Sequence, residues 1–399
     1  MSTPFVMPLL RVMRREFRRI AGRPTLWMLS IGLPVGMFLF LAYIYKDALV
    51  RELPVAVCDE DGSELSRMII RSVDATASMK VVMRAHSMNE IREAMLAGNV
   101  QAGIYIPRRF EADVKGGTSS TVTVVKNTFN LIIGNLIYRD AATILKTVSG
   151  GALLKKLRSR GMSGEQAMNV INPIRLDTQV LYNSNYSYLN YLIPPMLAVV
   201  LQMVIMVSGV LVFSSEFTHG TMDELLETGN NSLAAVLLGK ALPHFLVHAS
   251  TALGIIGLVM PIFGLGIGGS SALVFGLLLL FVAASLALAL AISGVVHEQL
   301  KATEVAVFLV TPAFVFSGLT FPAWAMPALH SWYAQTMPFT PFLSAFLKLY
   351  QMNTPVTYIA PEALHLSAFL ILSTAVAIVS LRRQIHRHIT SRMGTEASS

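Results

Sequence analysis

The chain has 399 residues, of which 54% are hydrophobic and only 14% charged, with a formal net charge of +8 and a mean hydropathy of +0.59. Soluble domains carry roughly 25% charged residues, so this composition points away from a purely water-soluble protein and toward lipid as solvent for much of the chain. The single cysteine, Cys58, excludes an intramolecular disulfide and a cysteine-based zinc site, and is read as a buried thiol.

Residues 1–24 set Val6, Leu9, Leu10, Met13, Phe17 and Ile20 at helical spacing among Arg11, Arg14, Arg15, Arg18, Arg19 and Arg23. That is the pattern of an amphipathic helix lying in a membrane interface. Beside a membrane anchor the arginines are read as facing lipid headgroups, not nucleic acid. Residues 25–45 carry no charge and match the roughly 20 apolar residues that cross the hydrocarbon core. The run is longer than a signal-peptide core and lacks an A-x-A exit, so it is read as an uncleaved anchor.

Residues 46–187 change character. Strands are expected at 53–57, 79–83, 101–106 and 121–125, with a further one at 173–181. Helices are expected at 63–73, at 87–96 with a capping box between Ser87 and Glu90, after Pro107, and from 129 to about 158. This is a mixed α/β domain with its own small core. The run Asp59-Glu60-Asp61-Gly62 lacks the ligand pattern of a calcium loop and is read as a solvated turn. His86 and the Arg108-Arg109 pair are read as surface residues.

Five more uncharged runs follow, at 189–213, 241–267, 272–296, 305–321 and 363–381, each expected to be a membrane-spanning helix. Pro34, Pro194, Pro195, Pro261 and Pro312 are expected to mark kinks or breaks within the runs. Arginines precede the first run, and Arg382, Arg383, Arg387 and Arg392 follow the last. The positive-inside rule therefore places both termini in the cytoplasm and residues 46–187 outside. The expected fold is a polytopic α-helical membrane protein: six transmembrane helices with an inserted extracytoplasmic α/β domain. Its parts are an interfacial helix (1–24), a first span (25–45), the outer domain (46–187), a five-helix membrane domain (188–382) and a cytoplasmic tail (383–399).

Within the spans, Gln202 is the candidate for the translocation path. His244 and His248 stand at metal-ligand spacing, but Phe245 replaces the glutamate of the zinc-protease motif, and they are read as polar contacts. Glu298 and Lys301 are spaced to pair on one helix. The cytoplasmic loop 214–240 holds a short amphipathic segment. Thr221 is its expected cap, with Glu224 at the third position, and Met222, Leu225 and Leu226 form the apolar face. Farther on, Phe316-Ser317-Gly318, Pro322, Met326-Pro327 and Pro338-Phe339-Thr340-Pro341 punctuate an apolar segment.

These two blocks resemble the type-2 permeases of ABC exporters. Glu216, Gly220-Thr221, Glu224, Leu225-Leu226 and Gly239-Lys240 match that family in order and spacing. Ser215 stands where it often has a basic residue, and Gly229-Asn230-Asn231 where it often has a proline. The resemblance spans the whole chain. It implies that Glu216, Gly220, Thr221, Asp223, Glu224, Leu225, Leu226 and Glu227 couple the permease to an ABC ATPase subunit. It also implies that residues 322–348 form an outer re-entrant hairpin, marked by Gly318, Pro322, Pro327, Pro338 and Pro341.

A second permease chain, the lipid bilayer of a bacterial inner membrane, and a periplasmic adaptor with an outer-membrane component are the further partners it implies. Nucleic acid is not among them. The function so implied is ATP-driven export of a hydrophobic or amphipathic substrate by alternating access. The sequence contains no G-x-x-x-x-G-K-[ST] loop. No cofactor is therefore expected on this chain, which is not read as an enzyme, and ATP and Mg are expected on the partner ATPase. The alternative is a non-transporting scaffold or receptor that presents the outer α/β domain.

Overall fold

A computed structural model of the chain describes residues 5–46, 51–128, 131–172, 181–183 and 187–396. They divide into a helical unit, Met1–Asp47 with Tyr188–Ser399, and an α/β unit, Ala48–Ser187.

The helical unit begins with α1 (Val6–Gly22). Arg23 is extended, and Pro24 then opens α2 (Pro24–Tyr45), where a missing amide hydrogen costs nothing. One turn of α2, Met28–Gly32, is wound as a π-helix. The apolar set expected on one face of α1 divides. Ile20 is buried in a stripe with Pro8, Val12 and Glu16, while Val6, Leu10 and Phe17 are exposed.

In the α/β unit, β1 (Leu53–Asp59), α3 (Glu64–Asp74), β2 (Met79–Arg84), α4 (Met88–Leu96), β3 (Ala102–Ile106), α5 (Phe110–Gly116) and β4 (Thr123–Lys126) follow in order. Then come α6 (Leu131–Ser159) and α7 (Gly164–Ile171). The four strands stand in the order β2-β1-β3-β4. β1 is parallel to both β2 and β3, and β4 is antiparallel to β3. Central β1 is apolar at Leu53, Val55, Ala56, Val57 and Cys58, all buried, as befits a parallel strand covered on both faces.

The acidic turn is built, not merely solvated. Asp59 Oδ1 accepts from the amides of Asp61 and Gly62, and Oδ2 accepts from Ser66. Ser87 caps α4 as expected, but Glu90 reaches back to the His86 amide, not to that of Ser87. A complete capping box, of Ser163 and Gln166, opens α7. The strand expected at 173–181 lies almost wholly outside the described residues.

The helical unit resumes with α8 (Tyr188–His219), α9 (Met222–Thr228), α10 (Leu233–Ile262), α11 (Ser271–Val295), α12 (Gln299–Val310), α13 (Ala328–Gln335), α14 (Phe339–Tyr350) and α15 (Ala360–Glu396). α10 also contains a π-helical turn, Ile255–Val259. α11 is the hub, packed against α8, α10, α14 and α15, with Phe281 stacked on Phe342 at 3.9 Å.

Among the described residues five helices are long and apolar enough to cross a membrane: α2, α8, α10, α11 and the Ala360–Ile385 part of α15. The run 305–321 departs from the expected continuous helix. α12 stops at Val310 and gives way to a 3-10 turn, Thr311–Ala313, because Pro312 offers no amide hydrogen and its ring obstructs the preceding turn. Lys301 and Glu298 pair at 2.6 Å as their spacing predicts.

Candidate functional site

Charges concentrate where α1 crosses α8 and α10. The crossing is close because Gly239 of α10 lacks a side chain. A Cβ there would sit 2.6 Å from Val12 Cβ, so any larger residue displaces α1. Next to Gly239, the Lys240 side chain is wholly buried. Its Nζ lies 2.5 Å from Glu216 Oε1 and 3.0 Å from Glu16 Oε2. Glu216, 2% exposed near the end of α8, also accepts two bonds from Arg15, at 2.9 and 3.1 Å, and one from Arg19 at 2.9 Å. Glu16, 1% exposed, meets His244 Nε2 through its Oε1 at 3.0 Å, and Arg19 stands 3.6 Å away.

The interior of the site thus holds three cations and two carboxylates. Glu224 of α9 joins at the rim, 3.6 Å from Arg15. Burial alone would raise the Glu16 carboxyl. Lys240, His244 and Arg19 outweigh it and hold the group well below the ordinary carboxylate range.

A polar path continues along α10 into the span. The His244 and His248 rings lie 6.4 Å apart, and His248 Nε2 meets Ser208 Oγ of α8 at 2.8 Å. Each imidazole therefore has a polar neighbour. Among the described residues no three metal-ligating side chains converge. α8 is also tied to α11, where Ser293 Oγ accepts from the amides of Phe213 and Ser214 at 3.0 and 2.9 Å.

The short helix α9 hangs from this cluster. Gly220 turns the chain with φ of +68°, a conformation that a side chain disfavours. Thr221 occupies the cap position without capping. Contrary to the capping expected, its hydroxyl donates to Glu216 Oε2. Met222, Leu225 and Leu226 are buried in the core of the unit, as their spacing predicts. Glu224 and Glu227 are exposed and Asp223 is half-buried. The arrangement is a clamp that joins α1, α8, α9 and α10.

The other singled-out residues lie apart from this clamp. Gln202 of α8 is fully enclosed, and among the described residues neither of its amide atoms has a partner. Pro322, Pro327 and Pro338 each immediately precede a helix: the 3-10 turn Ala323–Ala325, α13 and α14. Pro341 falls in the first turn of α14, where amide hydrogens are unpaired anyway. The prolines thus start these helices. Gly318, Thr340, Pro341 and Glu362 line a cavity of about 550 Å³. Glu362 pairs with Lys348 there, while its Oε2 and the Thr340 hydroxyl have no hydrogen-bond partner among the described residues.

Sequence reasoning missed Glu16. Its signal was available: Pro8, Val12, Glu16 and Ile20 recur every four residues, which puts one carboxylate in an otherwise apolar stripe.

Residues 24–379 match the family described as ABC-2 family transporter protein. The probable multidrug ABC transporter permease YbhS of Escherichia coli (strain K12) is 21% identical over 92% of this chain and 93% of its own length. The probable multidrug ABC transporter permease YbhR of the same strain is 21% identical over 79% of this chain and 82% of its own. ABC transporter G family member 20 of Dictyostelium discoideum is 26% identical over 45% of this chain and 24% of its own.

Proposed function

The chain belongs to the ABC-2 transporter family, and from that premise we propose that it is the permease of an ATP-driven exporter whose clamp at Glu216 passes ATPase motion to the spans. It is a multi-pass transmembrane subunit of an ABC transporter, whose partners are an ABC ATPase and the membrane. On this proposal six segments cross a bacterial inner membrane, with residues 305–321 as the interrupted one. Both termini are cytoplasmic and the α/β unit is outside, where it meets an adaptor. Residues 322–348 dip back into the bilayer from that side. Two permease chains alternate access for a hydrophobic or amphipathic substrate, with Gln202 on the path, and ATP and Mg bind the partner.

One observation carries this reading. The exposed acidic edge of α9 is joined through Thr221 and Glu216 to α1, α8 and α10 at once. A push on α9 is then delivered to three helices, where a loose loop would absorb it. Glu216 is too buried to touch a soluble partner, so its role is to transmit. Glu224 and Glu227 are the residues that meet the ATPase.

Single cysteines from Thr218 to Glu227, placed in a Cys58→Ala background, test this. Those at Glu224 and Glu227 are expected to crosslink to the co-expressed ATPase, and the crosslinked complex to lose substrate-stimulated ATP turnover. Absence of any crosslink along the segment would return α9 to a solvated connector.

A further inference from the structure

The α/β unit contains a cleft that the transport reading does not use. α3, α5 and α6 meet around it, and it encloses about 630 Å³. A smaller chamber of about 190 Å³ adjoins it, and Leu65, Val114, Val148 and Ala152 line both. The inner chamber is closed by Ile69 and Phe110, both buried in the core of the unit. Small residues at Gly151 and Ala152 keep the α6 wall open. The two volumes together fall within the roughly 300–1,000 Å³ of small-molecule sites.

The mouth is charged, and its charges do not cancel. Glu111 and Lys115 satisfy each other at 2.9 Å across one turn of α5. Glu64 is in the first turn of α3, where the positive end of the helix compensates a carboxylate. Lys155 and Lys156 also line the mouth, and neither forms an ion pair among the described residues. Lys156 stands in the last turn of α6, where the negative end of the helix compensates an ammonium. Three lysines thus face the carboxylates of Glu64 and Glu111, and Lys155 supplies the surplus positive charge. An apolar chamber behind that surplus has the shape and sign of a site for a chain that ends in an acid.

We propose that this cleft binds a single-chain amphiphile with an acidic headgroup, its chain in the inner chamber and its acid at Lys155 and Lys156. The proposal is independent of what the membrane unit transports.

The test uses the full-length protein in phosphatidylcholine nanodiscs with a dodecanoic acid that carries a diazirine at its chain end. Labels mapped by mass spectrometry are expected on residues 64–72, 110–122 and 145–152. Dodecanoic acid should compete about tenfold better than dodecylamine. Ala152→Trp, which fills the passage between the chambers, should cut labelling about tenfold while the thermal melt stays cooperative. Lys155→Glu with Lys156→Glu, a surface change, should reverse the acid-over-amine preference. Labels confined to the spans, equal competition by acid and amine, or full labelling of Ala152→Trp would each overturn the proposal. So would loss of labelling when phosphatidylglycerol replaces phosphatidylcholine, which would assign the cleft to bilayer lipid.

Discussion

Two polar residues of α8, Gln202 and Glu216, are buried to almost the same degree and are treated in opposite ways. At the end of the helix, Glu216 is engaged by Arg15, Arg19, Lys240 and Thr221. Almost four turns earlier, Gln202 is enclosed with both amide atoms unmatched among the described residues. A buried polar group left unpaired costs about 1–3 kcal/mol. A fully engaged charge cluster resists any rearrangement that would strand one of its members. The contrast separates a place built to stay fixed from a place that gains by changing partners. That is the division expected if force enters at Glu216 and substrate passes Gln202.

The largest expected effect attacks the fixed end. Glu216→Ala leaves the buried Lys240 ammonium and two guanidinium groups without their shared carboxylate, a change that costs about 3–5 kcal/mol when the charges are desolvated. Val12, 1% exposed against Gly239, is the reporter. In a Cys58→Ala background, Val12→Cys should react slowly with maleimide, and adding Glu216→Ala should accelerate it many-fold as α1 lifts. An unchanged rate would show that apolar packing alone holds α1.

A smaller effect of opposite sign is expected at the unmatched end. Gln202→Leu removes both unpaired atoms at similar volume and should stabilise the protein by about 1 kcal/mol, read as a higher melting temperature, while substrate-stimulated ATP turnover falls. A lower melting temperature would mean that Gln202 has a partner, and the contrast would collapse.

The smallest effect concerns pH. Because the folded Glu16 carboxyl lies below its ordinary value of 4.5, its contribution is complete above about pH 4.5 and is lost as the pH falls toward the folded value. Melting temperatures of wild type and Glu16→Gln should therefore keep a constant gap from pH 7 to 5 and converge under more acidic conditions. A gap that does not narrow in acid would remove Glu16 from the electrostatic role.

The long helices were legible because an uncharged run of 20 residues has few other fates, and α9 because Met222, Leu225 and Leu226 fall on one side of so short a segment. The early end of α12 was half-legible: Pro312 marked a break, but hydropathy continued smoothly through it to Phe321. The clamp was largely invisible. Glu16 reads as one more charge in an arginine-rich helix, and its partners Lys240 and His244 stand more than two hundred positions away. Local pattern carries no information about which distant carboxylate a buried lysine will meet. Thr221 misled for a related reason: the local cap and the more distant carboxylate compete for one hydroxyl, and the charged acceptor makes the stronger bond.

The widened turn of α2 has a consequence for angular phase. The buried positions of that helix are Leu26, Ser30, Pro34, Phe38 and Ala42, one every fourth residue. In a regular α-helix each such step drifts by about 40°, so the series would swing by about 160° and its last member would face away from the first. One surplus residue in the turn Met28–Gly32 sets the rotation back by about 100°, leaving a net swing of about 60°. The winding fault therefore acts as a phase correction, gathering five stations into a strip that one neighbouring helix can cover. The turn Ile255–Val259 makes the same correction in α10, where His244, His248, Ala252, Ile256 and Met260, again one every fourth residue, all stay inward. An unbroken helical wheel would assign several of these side chains to the wrong side.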